Sequence, residues 1–180
     1  MTEPAAAPEG LPLGHYTLVR PIAKGAMGEV WEARHTDTGV PLAVKCLRDE
    51  QDDWAESAFR NEVRATAALD HPSIVAVYDE GAVPEETAAA SEGRLVEGRP
   101  YLVMELVDGK PLQGRVGRLG WPVLQDLLLQ LLDALAHSHA RGVIHRDLKP
   151  GNVLVSEDGP DGALRARLTD FGLAQALDQH

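Results

Sequence analysis

The run His145-Arg146-Asp147-Leu148-Lys149-Pro150-Gly151-Asn152, followed eighteen residues after Asn152 by Asp170-Phe171-Gly172, constrains this chain more than any other feature. Between the two motifs, residues 153–155 and 164–168 are short apolar runs, and turn-formers at 159–162 separate them. That pattern reads as a hairpin closing directly before Asp170. Upstream, Leu124, Leu127, Leu128, Leu131, Leu132, Leu135 and His139 follow three-four spacing across residues 122–141, and Gly142 marks a stop. This is the clearest helix of the chain.

The first half of the chain is organised differently. Residues 16–22, 29–35 and 40–47 are rich in β-branched, aromatic and apolar side chains and are separated by turn-formers at 25–28 and 36–39. They read as antiparallel hairpins. Asp53 with Glu56 resembles a capping box, and Ala55, Phe59, Val63 and Ala67 share one face of a helix stopped by Asp70-His71-Pro72, with Glu62 near its middle. Residues 74–78 and 101–106 are two further strands, giving an α+β chain with a five-stranded sheet. Between them, residues 80–98, with Pro84, the three alanines at 88–90, and Glu85, Glu86, Glu92 and Glu97, read as a solvated loop insertion. Residues 1–13, with three prolines, read as a disordered leader. No internal repeat is found.

Composition excludes several classes. The 180 residues are 44% hydrophobic and 25% charged, enough to bury a sizeable core. The net charge of −11 argues against a nucleic-acid or anionic-membrane surface, because phosphate neutralisation needs clustered Lys and Arg. Cys46 is the only cysteine, which excludes an internal disulfide, and on its strand it reads as a small core residue. The first ten residues lack the pattern of a signal peptide, and Gln125, Asp126, Gln130 and Asp133 interrupt the Leu-rich stretch. A cytoplasmic location is the resulting expectation. His137 and His139 are two apart on a helix and point about 200° apart, so they cannot share one ion.

Taken in order, these motifs resemble those of the protein kinase catalytic domain, with the bacterial serine/threonine members the best match. The stretch Ile22-Ala23-Lys24-Gly25-Ala26-Met27-Gly28-Glu29-Val30 resembles the glycine-rich loop over ATP phosphates, where glycine lets backbone approach phosphate oxygens. Ala23 stands where the family has its first glycine, which implies altered nucleotide affinity. By itself the loop could equally be a plain hairpin turn. Leu42-Ala43-Val44-Lys45 resembles the strand whose lysine contacts the α and β phosphates and pairs with a helical glutamate, here Glu62. Without the other motifs both would read as surface residues. The resemblance implies that Ala43 and Val30 sit against adenine, that Met104 lines the rear wall, and that backbone groups of Glu105 and Val107 hydrogen-bond the base.

In the catalytic loop it implies Asp147 as the residue facing the substrate hydroxyl, Lys149 as the neutraliser of phosphoryl charge, and Asn152 and Asp170 as Mg²⁺ ligands. The implied fold is two-lobed: a leader at 1–13, a complete N-lobe at 14–105, and the first part of a C-lobe at 106–180. The implied activity is ATP- and Mg²⁺-dependent transfer to Ser/Thr hydroxyls of a protein substrate. Eight residues follow Gly172, so the family's activation segment, its Ala-Pro-Glu motif and its later helices are expected to be missing. The Leu-rich helix is then expected to expose an apolar stripe through which chains could associate. A non-catalytic nucleotide-binding or regulatory half-kinase module is the alternative. A small-molecule phosphotransferase is disfavoured by Lys149 and Pro150.

Overall fold

The computed structural model describes residues 10–25, 28–47, 63 and 66–171. The chain divides into two compact units, Met1–Glu50 with Asp79–Leu106, and Gln51–Tyr78 with Val107–His180. Among the described residues no helix is long and apolar enough to cross a membrane.

The first unit is built on an antiparallel sheet. Strands β1 (Leu11–Leu13), β2 (Tyr16–Gly25), β3 (Gly28–His35), β4 (Pro41–Leu47), β5 (Val77–Ala82) and β6 (Pro100–Glu105) lie in the order β1-β2-β3-β4-β6-β5. The turn from β3 to β4 closes with Gly39 N–H donating to the His35 carbonyl at 2.8 Å. Gly39 holds φ at +69°, a conformation that disfavours a side chain. One sheet face buries Leu13, Leu18, Trp31, Ala33, Leu42, Val44, Cys46, Tyr101 and Val103 as a continuous core.

Two expectations are corrected here. Residues 11–13, expected to belong to a disordered leader, are ordered: Leu11–Leu13 form β1, paired with β2 from Leu11 opposite Leu18 to Leu13 opposite Tyr16. The reason is burial, since Leu13 is wholly enclosed in the core and Leu11 packs against it. The sheet accordingly has the five expected strands and β1 besides. The insertion at 80–98 is also more than a solvated loop. It contains helix α1 (Glu85–Ala90), and although Glu85, Glu86, Glu92 and Glu97 are exposed as expected, Val83, Thr87, Ser91 and Leu95 are buried. Those four recur at every fourth position and turn one stripe onto the sheet core. Thr87 Oγ1 donates to the Pro12 carbonyl, tying α1 to β1. Ser91 Oγ accepts from Leu95 N–H at 2.9 Å, closing the turn that follows.

The second unit centres on helix α2 (Trp121–His139) and a three-stranded sheet ordered β7 (Gly109–Pro111), β8 (Val153–Ser156), β9 (Arg165–Leu168). Pro122 stands in the first helical turn, where a missing N–H costs nothing. The far end closes as a Schellman pair: Gly142, at φ +75°, donates to the His139 carbonyl and Val143 donates to that of Ser138. Leu127, Leu131 and Ala134 pack against Val153, Val155, Ala166 and Leu168. Leu128, Leu129 and Leu132 fall off that face and are 41%, 58% and 61% exposed, the apolar stripe expected from the sequence. Ile74, expected in a sheet strand, instead bridges Leu168 in parallel and joins this second core, so β5 begins only at Val77. Of the helix expected to carry Glu62, Val63, Thr66 and Ala67 are helical, whereas Glu62 and the capping box lie outside the described residues.

Candidate active site

The second unit brings the His145–Asn152 run and Asp170 together through the register of β8 and β9. Val153 pairs with Leu168, and beyond that pair Thr169 N–H donates to the Asn152 carbonyl at 3.0 Å. Asn152 and Asp170 therefore flank the mouth of one hairpin. A three-residue turn starts the loop: Asp147 N–H donates to the His145 carbonyl at 2.8 Å around Arg146, whose φ is +62°. Asp170 also sits in the left-handed region, at φ +60°. Neither residue is glycine, and such backbone costs on the order of 1–3 kcal/mol each, which the surrounding hydrogen bonds must hold in place.

His145 is one of those holds. It is 2% exposed, its Nε2 lies 3.0 Å from the Thr169 carbonyl, and its ring packs on Phe171 at 4.5 Å. A carbonyl only accepts, so Nε2 carries the proton; Nδ1 is buried with no hydrogen-bond partner among the described residues. Burial pushes the His145 pKa below its ordinary value of 6.5 and keeps the ring neutral. One side chain thus joins the residue before the reactive loop to the residue before Asp170.

The loop's polar groups are locked to one another. Lys149 Nζ donates to Asp147 Oδ2 at 2.6 Å, and Asn152 Nδ2 donates to that same oxygen and to the Asp147 main-chain carbonyl, each at 2.9 Å. The Lys149 hydrogen bond, followed by that from Asn152, holds the Asp147 carboxyl below the usual carboxylate range. Asp147 is therefore ionised and acceptor-only at neutral pH. Because Asn152 offers its nitrogen to two oxygens of Asp147, its amide oxygen is turned the other way. That amide oxygen and the Asp170 carboxylate are both hard-oxygen donors. Among the described residues no group of three or more His, Cys, Asp or Glu could cage a metal. A pair of oxygen ligands completed by ligand phosphates and water is the mode that suits Mg²⁺, so the donor chemistry fits that ion. His137 and His139 are not brought together: His137 packs on His71, ring centroids 5.0 Å apart, and His139 is exposed.

In the first unit the sheet register aligns the residues expected to face a nucleotide. Ala23 pairs with Val30, Val30 with Lys45 and Lys45 with Leu102, while Ala43 pairs with Met104 one row along. Paired residues share a face, so Ala23, Val30, Ala43, Lys45 and Met104 lie on the side opposite the core of Trp31, Val44 and Val103. Lys45 is only 5% exposed, which is rare for lysine. The two glycines of the loop differ. Gly28 has φ +153°, and a Cβ there would collide with the Cys46 carbonyl; a Cβ on Gly25 would meet nothing within 4 Å among the described residues. Ile22 and Lys24 are exposed on β2, and Ala26, Met27 and Glu62 lie outside the described residues. Glu105 ends β6, and the Val107 carbonyl accepts from Gly109 N–H at 2.9 Å.

Sequence reasoning missed Leu102, which shares the Lys45 row, and Thr169, whose carbonyl and N–H both serve the loop. Strand alternation could have found the first. The second acts only through its main chain, which no side-chain pattern marks.

Residues 16–180 match the protein kinase domain. The serine/threonine-protein kinase PknA of Mycobacterium tuberculosis is 44% identical over 170 residues, which cover 92% of this chain and 36% of the relative. A probable serine/threonine-protein kinase PknB of Bifidobacterium longum is 39% identical, covering 95% of this chain and 24% of its own length. The chain thus spans only a minor part of the length of these relatives. Among solved structures, the Mycobacterium tuberculosis PknI kinase domain superposes with a TM-score of 0.69 at 30% identity, covering 94% of this chain and 63% of that one. A double mutant of the same domain gives 0.71 at 29% identity, covering 91% of this chain and 62% of that one. The motif order, the hairpin that joins Asn152 to Asp170 and these matches agree that the chain belongs to the protein kinase domain family and resembles its bacterial serine/threonine members.

Proposed function

We propose that this chain carries the phosphoryl-transfer machinery of a serine/threonine protein kinase, moving the γ-phosphoryl group of ATP to a Ser or Thr hydroxyl of a protein. The observation that carries the reading is the Asp147–Lys149–Asn152 cluster. An ionised carboxylate held by two donors can accept the hydroxyl proton as the hydroxyl oxygen bonds to phosphorus and the bond to ADP breaks. Lys149, already beside Asp147, is placed to meet charge on the transferred group. Asn152 and Asp170 would hold Mg²⁺, which would neutralise charge on the phosphate oxygens.

Residues 14–105 serve as the nucleotide lobe and 106–180 as the catalytic part of the second. Ile22, Ala23, Lys24, Gly25, Ala26, Met27 and Gly28 cover the phosphates. Val30, Ala43 and Met104 enclose adenine, Glu105 and Val107 offer it backbone groups, and Lys45 paired with Glu62 holds the α and β phosphates. Gly25 supports this, because among the described residues no neighbour crowds a Cβ there, whereas a phosphate approaching the backbone would. A cytoplasmic location, where ATP is available, accords with this reading. The half-kinase module without chemistry is not favoured, since Asp147, Lys149, Asn152 and Asp170 are all retained.

Transfer of labelled γ-phosphate to a Ser/Thr-rich acceptor protein tests the reading. Lys45→Met and Asp170→Asn are each expected to abolish transfer and Mg-dependent ATP binding. Undiminished binding and turnover in both would overturn the site.

A further inference from the structure

Strand β9 is the outer strand of its sheet, and among the described residues its far edge has no strand partner. An open edge leaves backbone groups unpaired and register weakly specified. Here it is closed by a side chain. Gln130, from the middle of α2, donates from Nε2 to the Leu164 carbonyl at 3.1 Å and accepts from Ala166 N–H at 2.9 Å through Oε1. These two groups, on alternate residues of one edge, are the pair a neighbouring strand would engage. The remaining Nε2 hydrogen goes to Asp126 Oδ2 at 2.9 Å, one turn back on the helix, so the amide can sit only one way round. The edge is then continued by main chain: Leu168 N–H donates to the Ser73 carbonyl and Val75 N–H to that of Leu168. Two residues beyond β9 stands Asp170.

We infer that Gln130 is a positioning residue for the Mg²⁺ ligands Asn152 and Asp170. It touches neither of them. It acts by fixing β9 against β8, whose first residue follows Asn152. A one-residue slip would move Asp170 about 3.3 Å relative to Asn152 and turn its side chain to the other face. The inference rests on the proposed reading of those two residues as metal ligands.

The test is calorimetric ATP affinity as a function of Mg²⁺ concentration for the full chain, Gln130→Met, Asp126→Ala and Asp170→Asn, with a thermal melt of each. Gln130→Met keeps the length and loses both bonds to β9. It is expected to raise the Mg²⁺ concentration at half effect about 10–100-fold, the usual cost of disturbing a group behind a metal ligand. Parental ATP affinity should return at saturating Mg²⁺, and Ala166 and Thr169 amide hydrogens should exchange faster. Asp126→Ala keeps both bonds and is expected to hold the parental midpoint. A lower melting temperature with an unchanged Mg²⁺ midpoint would overturn the inference, leaving a purely structural role. If Gln130→Met does not melt cooperatively, Gln130→Glu, which keeps the acceptor for Ala166 N–H, takes its place; failure of both to fold would overturn it equally. A parent whose ATP affinity ignores Mg²⁺, and matches Asp170→Asn, would instead overturn the metal reading and this inference with it.

Discussion

The two units bring their candidate site residues together by different means. In the second unit the side chains hold one another: Lys149 and Asn152 converge on one oxygen of Asp147, and His145 is bound to the carbonyl before Asp170. In the first unit Ala23, Val30, Lys45 and Leu102 lie in one row because paired strands place them there. A site locked by hydrogen bonds fails by losing a partner, and its members act as a unit. A site aligned by register tolerates changes of side chain and fails when the backbone that sets the alignment is disturbed.

The largest expected effect tests the locked half. Asp147→Asn keeps shape and removes the proton acceptor, and should lower the rate of phosphoryl transfer by about 10²–10⁴. Combined with Lys149→Ala, the double variant should fall well short of the product of the single effects. Multiplying effects would show that the two residues work separately and would break the comparison. The next tests the aligned half and uses its two glycines. Gly28→Ala forces a Cβ onto the Cys46 carbonyl at a positive φ and should cost about 1–3 kcal/mol in a denaturant melt. Gly25→Ala should melt within about 0.5 kcal/mol of the parent yet bind Mg-ATP more weakly. Equal melts for the two variants would remove the distinction between a glycine the fold needs and one the ligand needs.

The smallest effect is on pH. His145 has its folded pKa lowered by burial, so the folded state binds fewer protons than the unfolded one. Its contribution to stability is complete above the unfolded value of about 6.5 and is lost as pH falls through the lower folded value. Melting temperature should therefore drop as pH falls below about 6.5, and His145→Asn should flatten that slope. An unchanged slope would place the titration elsewhere.

Much of this was legible because it is written in side chains. The motif from His145 to Asn152, the hairpin before Asp170 and the helix ended by Gly142 each carry chemistry or periodicity that a single sequence displays. What escaped notice is held by main chain or by distant partners. The β1 strand exists because Leu11 and Leu13 find the core beneath Val83, Ala88 and Leu95, residues roughly seventy to eighty positions away. The buried stripe at 83, 87, 91 and 95 was masked by the glutamates and alanines around it, although its fourfold spacing was present. The start of β5 shifted because Ile74 is claimed by the second core, a competition that local propensity cannot express.

The central claim is that Lys45 and Asp170 are each needed for Mg-ATP binding. A thermal melt of the full chain with and without Mg-ATP at a hundredfold over its dissociation constant, beside Lys45→Met and Asp170→Asn, tests this most directly. Binding of that strength stabilises by about 2.7 kcal/mol, which should raise the parent's midpoint by about 5–11 °C and leave both variants unmoved. A parent that melts cooperatively with no shift, or variants that shift as the parent does, would contradict it.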